Sequence, residues 1–401
     1  MDQVLATACC SAIDDEADSL HKLSQVIWAN PELLFKEKVA HDALTDFLEE
    51  RGFAVERRYK NLDTAFRATW ECAHDGNNTK VPNVVIICEY DALPEIGHGC
   101  GHNLIAQAGA AAGIGVKAAL EKFEKPMGKV TILGTPAEEG GCGKQVLIDA
   151  GAFDDVDVAM MCHPSNFSRN HMDILAARLG KVTYHGKPAH ASAFPWEGVN
   201  ALDAAVQAYN GISALRQQIK PTSRLHAIIS KGGAKPNIIP DLAELELMAR
   251  ASLVKDLHGL IDKVNGCLNG AATATGCTVD ISWEPYVYSD LQSNQAMLQV
   301  YDKHLPRFEP SPGPRGDNGV AGSTDMGNVS YVVPSIHPMY RIGEASNHTR
   351  EFTAVAGEGK AQEPTQNQGK ALALTALEIM SDLSLLENIQ LEFKHMTQLL
   401  K

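Results

Sequence analysis

The sequence predicts an α/β protein: a mostly parallel sheet flanked by helices, interrupted by a smaller ferredoxin-like β-α-β-β-α-β domain. Three observations predict it. Apolar runs with strand character, Val84–Tyr90, Val130–Leu133 and Val156–Cys162, alternate with helical stretches, the rhythm of crossover-linked parallel strands. Across 178–290 that rhythm changes to the split βαβ order. The length, 401 residues, exceeds the roughly 250–300 at which one core stops growing. The expected division is 1–177, 178–290 and 291–401, the outer pieces forming one domain and the middle piece an insert.

Apolar residues at helical spacing predict helices over 12–30 and 36–51, separated at Pro31 and ended by Gly52. Cys72–Lys80 is polar and rich in Gly and Asn, hence a loop. The Ala/Gly-rich stretch Leu104–Phe123 predicts a helix whose small side chains permit close approach to a sheet, and Lys144–Ala150 predicts a second. In the insert, strands are expected at Lys181–His185, Leu225–Ser230, Leu242–Ser252 and Thr278–Trp283, with helices at Val199–Leu215 and Val254–Ala274. Glu309–Gly322 reads as a long loop, Tyr331–Val333 as one more strand, and Gln368–Leu385 as a final helix.

Composition narrows the function classes. The chain is 44% hydrophobic and 21% charged, which describes a packed globular protein. Its formal charge of −14 argues against nucleic acid or an anionic membrane as the main partner. No apolar run reaches the roughly 20 residues that span a bilayer, and the N-terminus carries no signal-peptide pattern. Nine cysteines, an odd and sparse set, point to a reducing compartment, hence the cytoplasm.

Three expected strands run into clusters of metal-ligand residue types. After the first come Asp91 and then His98-Gly99-Cys100-Gly101-His102; after the second, Glu138-Glu139; after the third, His163. In open α/β sheets the ligand crevice lies at the carboxyl ends of the strands, so these segments converge on one rim. Thiolate and imidazole suit zinc or a similar divalent ion. Of two adjacent carboxylates, one can bind the ion while the other serves as general base. The blander readings are a satisfied loop histidine beside a buried thiol, and acids placed at a helix N-terminus. A third reading makes Cys100 a nucleophile with a histidine base, although the surrounding carboxylates would raise its pKa.

In the insert, His190 sits in a loop, and Asn237 precedes a strand that ends at Arg250. Alternation puts Ala243, Leu245, Leu247 and Ala249 on one face and Glu244, Glu246 and Arg250 on the other. Arg250 is then either a cross-strand ion pair with those glutamates or a clamp for a substrate carboxylate. Late in the chain, His348 lies in a small-residue loop and Asp325 in a turn.

Together, Glu89–Pro94, Gly97–Asn103, Gly134–Gly141, Pro236–Asp241 with Arg250, and the Gly322–Asp325 turn with Val332-Val333-Pro334 resemble the dinuclear-metal carboxypeptidase G and aminoacylase family of metallopeptidases. More narrowly they resemble its amidohydrolase branch, that of aminobenzoyl-glutamate hydrolase B subunits and β-alanyl-lysine dipeptidases. The resemblance implies two divalent metal ions, zinc or alternatively manganese, on Cys100, His102, Glu139, His163 and His348. It implies Glu138 as general base, Asp91 beside the metal site, His190 as oxyanion stabiliser reaching across a dimer interface, and Asn237 and Arg250 as substrate holders. The outer pieces are then the catalytic domain and the insert a lid and dimerisation domain. The wider branch usually reads Cys-Gly-His-Asp-x-His where this chain has Asn103 and Ile105; the narrower branch shares the Asn. The implied reaction is hydrolysis of an N-acyl-amino acid or dipeptide with a free carboxylate. The alternatives left open are the same site run in reverse to form amides, and an inactive metal-binding scaffold.

Overall fold

The computed structural model describes residues 2–72, 81–123, 127–308 and 322–400. The loops expected over Cys72–Lys80 and Glu309–Gly322 lie, apart from Cys72 and Gly322 themselves, outside the described residues.

The chain forms two compact units, one from the N-terminus to Met172 and from Leu291 onward, the other Asp173–Asp290 with Ser323. The first unit begins with helices α1 (Gln3–Asp15), α2 (Ala17–Ala29) and α3 (Lys38–Glu50). Strands β1 (Ala54–Arg57), β2 (Phe66–Glu71) and β3 (Asn83–Glu89) follow, then α4 (His102–Leu120), β4 (Lys129–Thr135), α5 (Gly143–Asp149), β5 (Val158–Met160) and β6 (His163–Ser165). The second unit holds β7 (Ala176–His185), α6 (Ala201–Leu215), β8 (Arg224–Lys231), β9 (Leu242–Ala251), α7 (Val254–Thr275) and β10 (Thr278–Trp283). The first unit resumes with α8 (Gln295–His304), α9 (Met326–Ser330), β11 (Ser335–Ile336), β12 (Met339–Arg341), α10 (Arg350–Gly357), α11 (Gln362–Ser381) and α12 (Leu383–Leu400).

The main sheet of the first unit runs β1-β2-β4-β3-β5-β11. From β4 to β11 every pair is parallel, while β1 and β2 form an antiparallel edge. All seven residues of β3 are buried, as expected of a central strand covered on both faces. Helix α4 covers it closely because Gly109 stands where any Cβ would lie 2.5 Å from Cys88 Sγ and 3.0 Å from the Ile87 carbonyl oxygen. On its other side α4 meets α11, where a Cβ on Gly369 would touch Ala111 and the Ala108 carbonyl. The second unit pairs its strands antiparallel in the order β10-β7-β9-β8, with α6 and α7 packed on its apolar face. On β9, Ala243, Leu245, Leu247 and Ala249 are buried and Glu246 is exposed, the expected alternation.

Several elements differ from expectation. Tyr331–Val333 is a turn, not a strand: the Val333 N–H donates to the Val329 carbonyl at the end of α9, and extension resumes only past Pro334 in β11. The first expected helix is two, α1 and α2, broken at Glu16, and α1 starts earlier because the Asp2 carboxylate caps the Val4 N–H. The last is also two. Asp382 Oδ1 accepts from the N–H groups of Ser384 and Leu385 and opens α12. Val156–Cys162 shortens to β5, paired on its outer side with the two-residue β11.

Candidate metal centre

The carboxyl ends of β3, β4 and β5 position the cluster. β3 ends at Glu89, with Asp91 two residues on, and the chain returns through Cys100 and Gly101 to enter α4 at His102. Gly101 adopts φ +76° and leaves no room for a side chain: a Cβ would lie 2.6 Å from Pro164 Cγ. That turn sets Cys100 and His102 side by side. Beyond β4, Ala137 is held at φ +59°, a conformation costing a non-glycine residue about 1–3 kcal/mol, and Glu138 and Glu139 follow it. His348 is held likewise at φ +65°. Such strain clusters at functional sites.

The side chains fall into three groups: two share Cys100, and the third is Glu89, His102 and Glu138. Ligand atoms of Cys100, His102 and His163 lie within 4.8 Å of one another, and so do those of Cys100, Glu139 and His348. Cys100 Sγ is 3.4 Å from His163 Nε2, and Glu139 Oε1 is 3.5 Å from His348 Nε2. Two donors each about 2.1 Å from one ion at the tetrahedral angle stand about 3.4 Å apart, so these separations fit a shared metal.

The tautomers agree. His163 Nδ1 donates to the Pro164 carbonyl, 2.8 Å, which leaves the Nε2 lone pair facing Cys100. His102 Nδ1 pairs with Asp91 Oδ1, 3.0 Å, and Asp91 Oδ2 accepts from the Glu139 N–H, 2.9 Å. This carboxylate–histidine pair orients a ligand ring in the way metal sites require. Three buried atoms, His102 Nε2, Glu89 Oε1 and Glu139 Oε1, make no hydrogen bond. His102 Nε2 lies 3.1 Å from Glu89 Oε1 and 3.9 Å from Glu139 Oε1. Buried polar atoms are almost always satisfied, so ligand atoms gathered this closely fit a cation.

Electrostatics separate the acids. Burial pushes the Glu138 carboxyl well above its ordinary range, reinforced by Glu89 and Glu139. Burial would also raise Glu89, but the Lys144 ammonium and then His102 hold it at about 2. Lys144, fully buried on α5, pairs with Glu89 and with Asp325 Oδ1 at 2.6 Å. Burial, then Glu139, pushes the Cys100 thiol up, opposite to what a free nucleophile needs; a coordinated cation would instead deprotonate it.

In the second unit, His190 pairs in a bridge with Ile238, beside Asn237. Its Nδ1 accepts from the Ala193 and Ser192 N–H groups, 3.3 and 3.4 Å, so the proton sits on Nε2, free to donate. Arg250 forms no ion pair with Glu244 or Glu246 among the described residues. Glu244 pairs with Lys181 at 3.3 Å, and Arg250 donates to Ser323 Oγ at 2.8 Å.

His98 does not join the cluster; its Nε2 donates to the Ile27 carbonyl, 3.0 Å. Asn103 bonds Ser24 Oγ and the Ala356 carbonyl, and Ile105 is buried core. Sequence reasoning did not single out Lys144 or His337. His337 is a buried ring 5.6 Å from the His163 ring, with neither nitrogen hydrogen-bonded. A lysine near a helix start carries no signal of burial, and His337 lay just past a wrongly expected strand.

Residues 177–275 match the family model described as the peptidase dimerisation domain of the M20 peptidases. Over 400 residues the chain is 46% identical to a Xaa-Arg dipeptidase of Mus musculus, spanning 98% of this chain and 93% of that protein. The chain belongs to the M20 metallopeptidases. This M20 chain is also 28% identical to the B subunit of the p-aminobenzoyl-glutamate hydrolase of Escherichia coli, over 96% of this chain and 94% of that protein. A dinuclear metal binding M20 peptidase of Bacillus subtilis shares the fold, with TM-score 0.64 and 18% identity over 91% of this chain and 99% of that one. The M20 protein is therefore a hydrolase, a dipeptidase or amidohydrolase dependent on divalent metal. No helix among the described residues is long and apolar enough to cross a membrane.

Proposed function

We propose that this M20 enzyme cleaves dipeptides bearing a free carboxylate, preferentially those with a basic C-terminal residue. Two divalent ions, zinc by the chemistry of a thiolate ligand, would be held by Cys100, His102 and His163 and by Cys100, Glu139 and His348. The observation that carries this reading is the sharing of Cys100 between two groups of metal-ligand spacing. The basic side chain is supported by the activity named for the mouse relative and by the acidic balance of the chain.

When bound, such ions polarise the scissile carbonyl and acidify water. Glu138 takes the proton from the attacking water and returns it to the leaving amine; burial and the neighbouring carboxylates raise its proton affinity, which favours accepting that proton. Asp91 fixes the ring of His102. The Nε2–H of His190 compensates charge on the carbonyl oxygen, an effect of about 3 kcal/mol in comparable sites. Arg250 takes the substrate carboxylate, its fork held from one side by Ser323, and Asn237 contacts the substrate.

In this reading 1–177 and 291–401 form the catalytic domain, and 178–290 a lid and dimerisation domain through which two copies associate. The match over 177–275 supports the dimer, as does edge strand β8, which leaves Ile228 60% exposed. His190 then serves the second copy's site. A cytoplasmic location is supported by nine cysteines that are all free thiols.

The test is turnover by the metal-loaded protein on Xaa-Arg, Xaa-Lys, neutral and acidic dipeptides, and N-acyl amino acids. Cleavage favouring the basic dipeptides is expected. Equal or better cleavage of acidic ones would sink the substrate assignment.

A further inference from the structure

We infer that Glu89 is an additional metal-facing ligand, a sixth protein donor that reaches the ion of His102 and is aimed there by Lys144 and Asp325. The inference rests on the metal assignment above and extends it to a residue outside those five. Glu89 is fully buried at the end of β3 and divides its two oxygens. One pairs with Lys144 Nζ. The other, Oε1, has no hydrogen-bond partner and stands 3.1 Å from His102 Nε2, which has none either.

The simpler reading makes Glu89 only a counter-ion for Lys144. That accounts for one oxygen and leaves its buried twin facing His102 Nε2, whose partner nitrogen Nδ1 already faces Asp91. With a proton on Nε2 the two atoms make an ion pair at 3.1 Å, though not in hydrogen-bond geometry. Two ligands of one ion need no such alignment. At about 2.1 Å each, donors 3.1 Å apart subtend about 95° at the ion, within the ordinary range for a divalent metal. Glu89, His102 and Glu138 form a grouping within ligand distance that shares His102 with the group of Cys100 and His163.

The aim of Glu89 is fixed from behind. Lys144 Nζ is held by Asp325 Oδ1 at 2.6 Å, and Asp325 Oδ2 accepts the backbone N–H of Lys144 at 2.9 Å. Lys144 and Asp325 are thus positioning residues for a ligand carboxylate, in the way outer partners of metal ligands commonly act.

The experiment is Co²⁺ titration of the full chain, followed by calorimetry and by the visible absorption of the bound ion, for wild type and Glu89→Gln. The glutamine would offer its carbonyl to Lys144 and turn its NH2 toward the ion. One of two Co²⁺ should then bind at least ~10-fold more weakly, with an altered d–d spectrum, while the thiolate-to-cobalt band of Cys100 persists. Unchanged affinity and spectrum would overturn the proposal and leave the five-ligand assignment standing. No Co²⁺ binding by wild type would remove both. Should Glu89→Gln fail to fold, a crystal structure of the zinc-loaded wild type decides: Glu89 Oε1 at about 2.0–2.2 Å from the ion supports the inference, and a separation beyond about 3 Å overturns it.

Discussion

Glu138 and Glu139 are neighbours whose surroundings assign them different work. Glu139 faces His348 and His102, while Glu138 sits deeper, pushed up by burial and by the carboxylates around it. Glu138→Gln should therefore leave metal content intact and lower kcat by about 10²–10⁴-fold; full turnover in a metal-replete variant would end its role as base. Lys144 makes a second residue-scale prediction. Removing one partner of a buried ion pair leaves uncompensated charge, so Lys144→Met should cost about 3–5 kcal/mol in urea unfolding, and an unchanged midpoint would contradict the pairing. Part of the cluster was legible in the sequence because Cys100 and His102 flank a glycine and Glu138 and Glu139 adjoin. The Lys144–Glu89–Asp325 network was not, because its members stand 55 and 181 positions apart and nothing local marks a lysine as buried.

Among elements, β3, β4 and α4 were readable for a physical reason: central parallel strands are apolar throughout, and a helix lying flat on them must be small on one side. Edge elements lack that signature. β1, half polar with alternating exposure, and β2, polar at alternate positions, carry no apolar run, and the sequence predicts no element at either. Tyr331–Val333 misled in the opposite sense. Its β-branched residues suggest a strand, but Met326, Val329 and Val333 share helical spacing and are all buried. The α4–β3 contact supplies a test in which two effects oppose. Helix propensity alone would make Gly109→Ala stabilising by about 1 kcal/mol. A methyl 3.0 Å from the Ile87 carbonyl oxygen, which cannot swing aside, makes overpacking of about 1–3 kcal/mol the larger effect. Chemical denaturation should show net destabilisation, and a gain in stability would refute this packing.

At the scale of the whole molecule, the cross-subunit role proposed for His190 is open to complementation. His190→Ala and Glu138→Gln should each be inactive alone. Mixed and reassembled at equal concentrations, half the dimers are hybrid, and one site in each hybrid regains both groups, so about a quarter of wild-type activity should return. No recovery, with hybrids verified by mass spectrometry, would place His190 at its own chain's site. Ile228→Glu on the exposed edge of β8 should also abolish recovery by blocking association.

The first unit closes only with residues that follow the insert, and this gives the centre a history as well as a geometry. A ribosome adds about 5–20 residues each second, so the roughly 200 residues between Glu139 and His348 separate them by on the order of 10–40 s. Cys100 and His102 are synthesised before that interval and His163 early in it, whereas the group of Cys100, Glu139 and His348 waits for its last member. On the proposed assignment the donors of the ion on His163 are complete before those of the ion on His348, and the centre lacks its last ligand until the loop of His348 emerges.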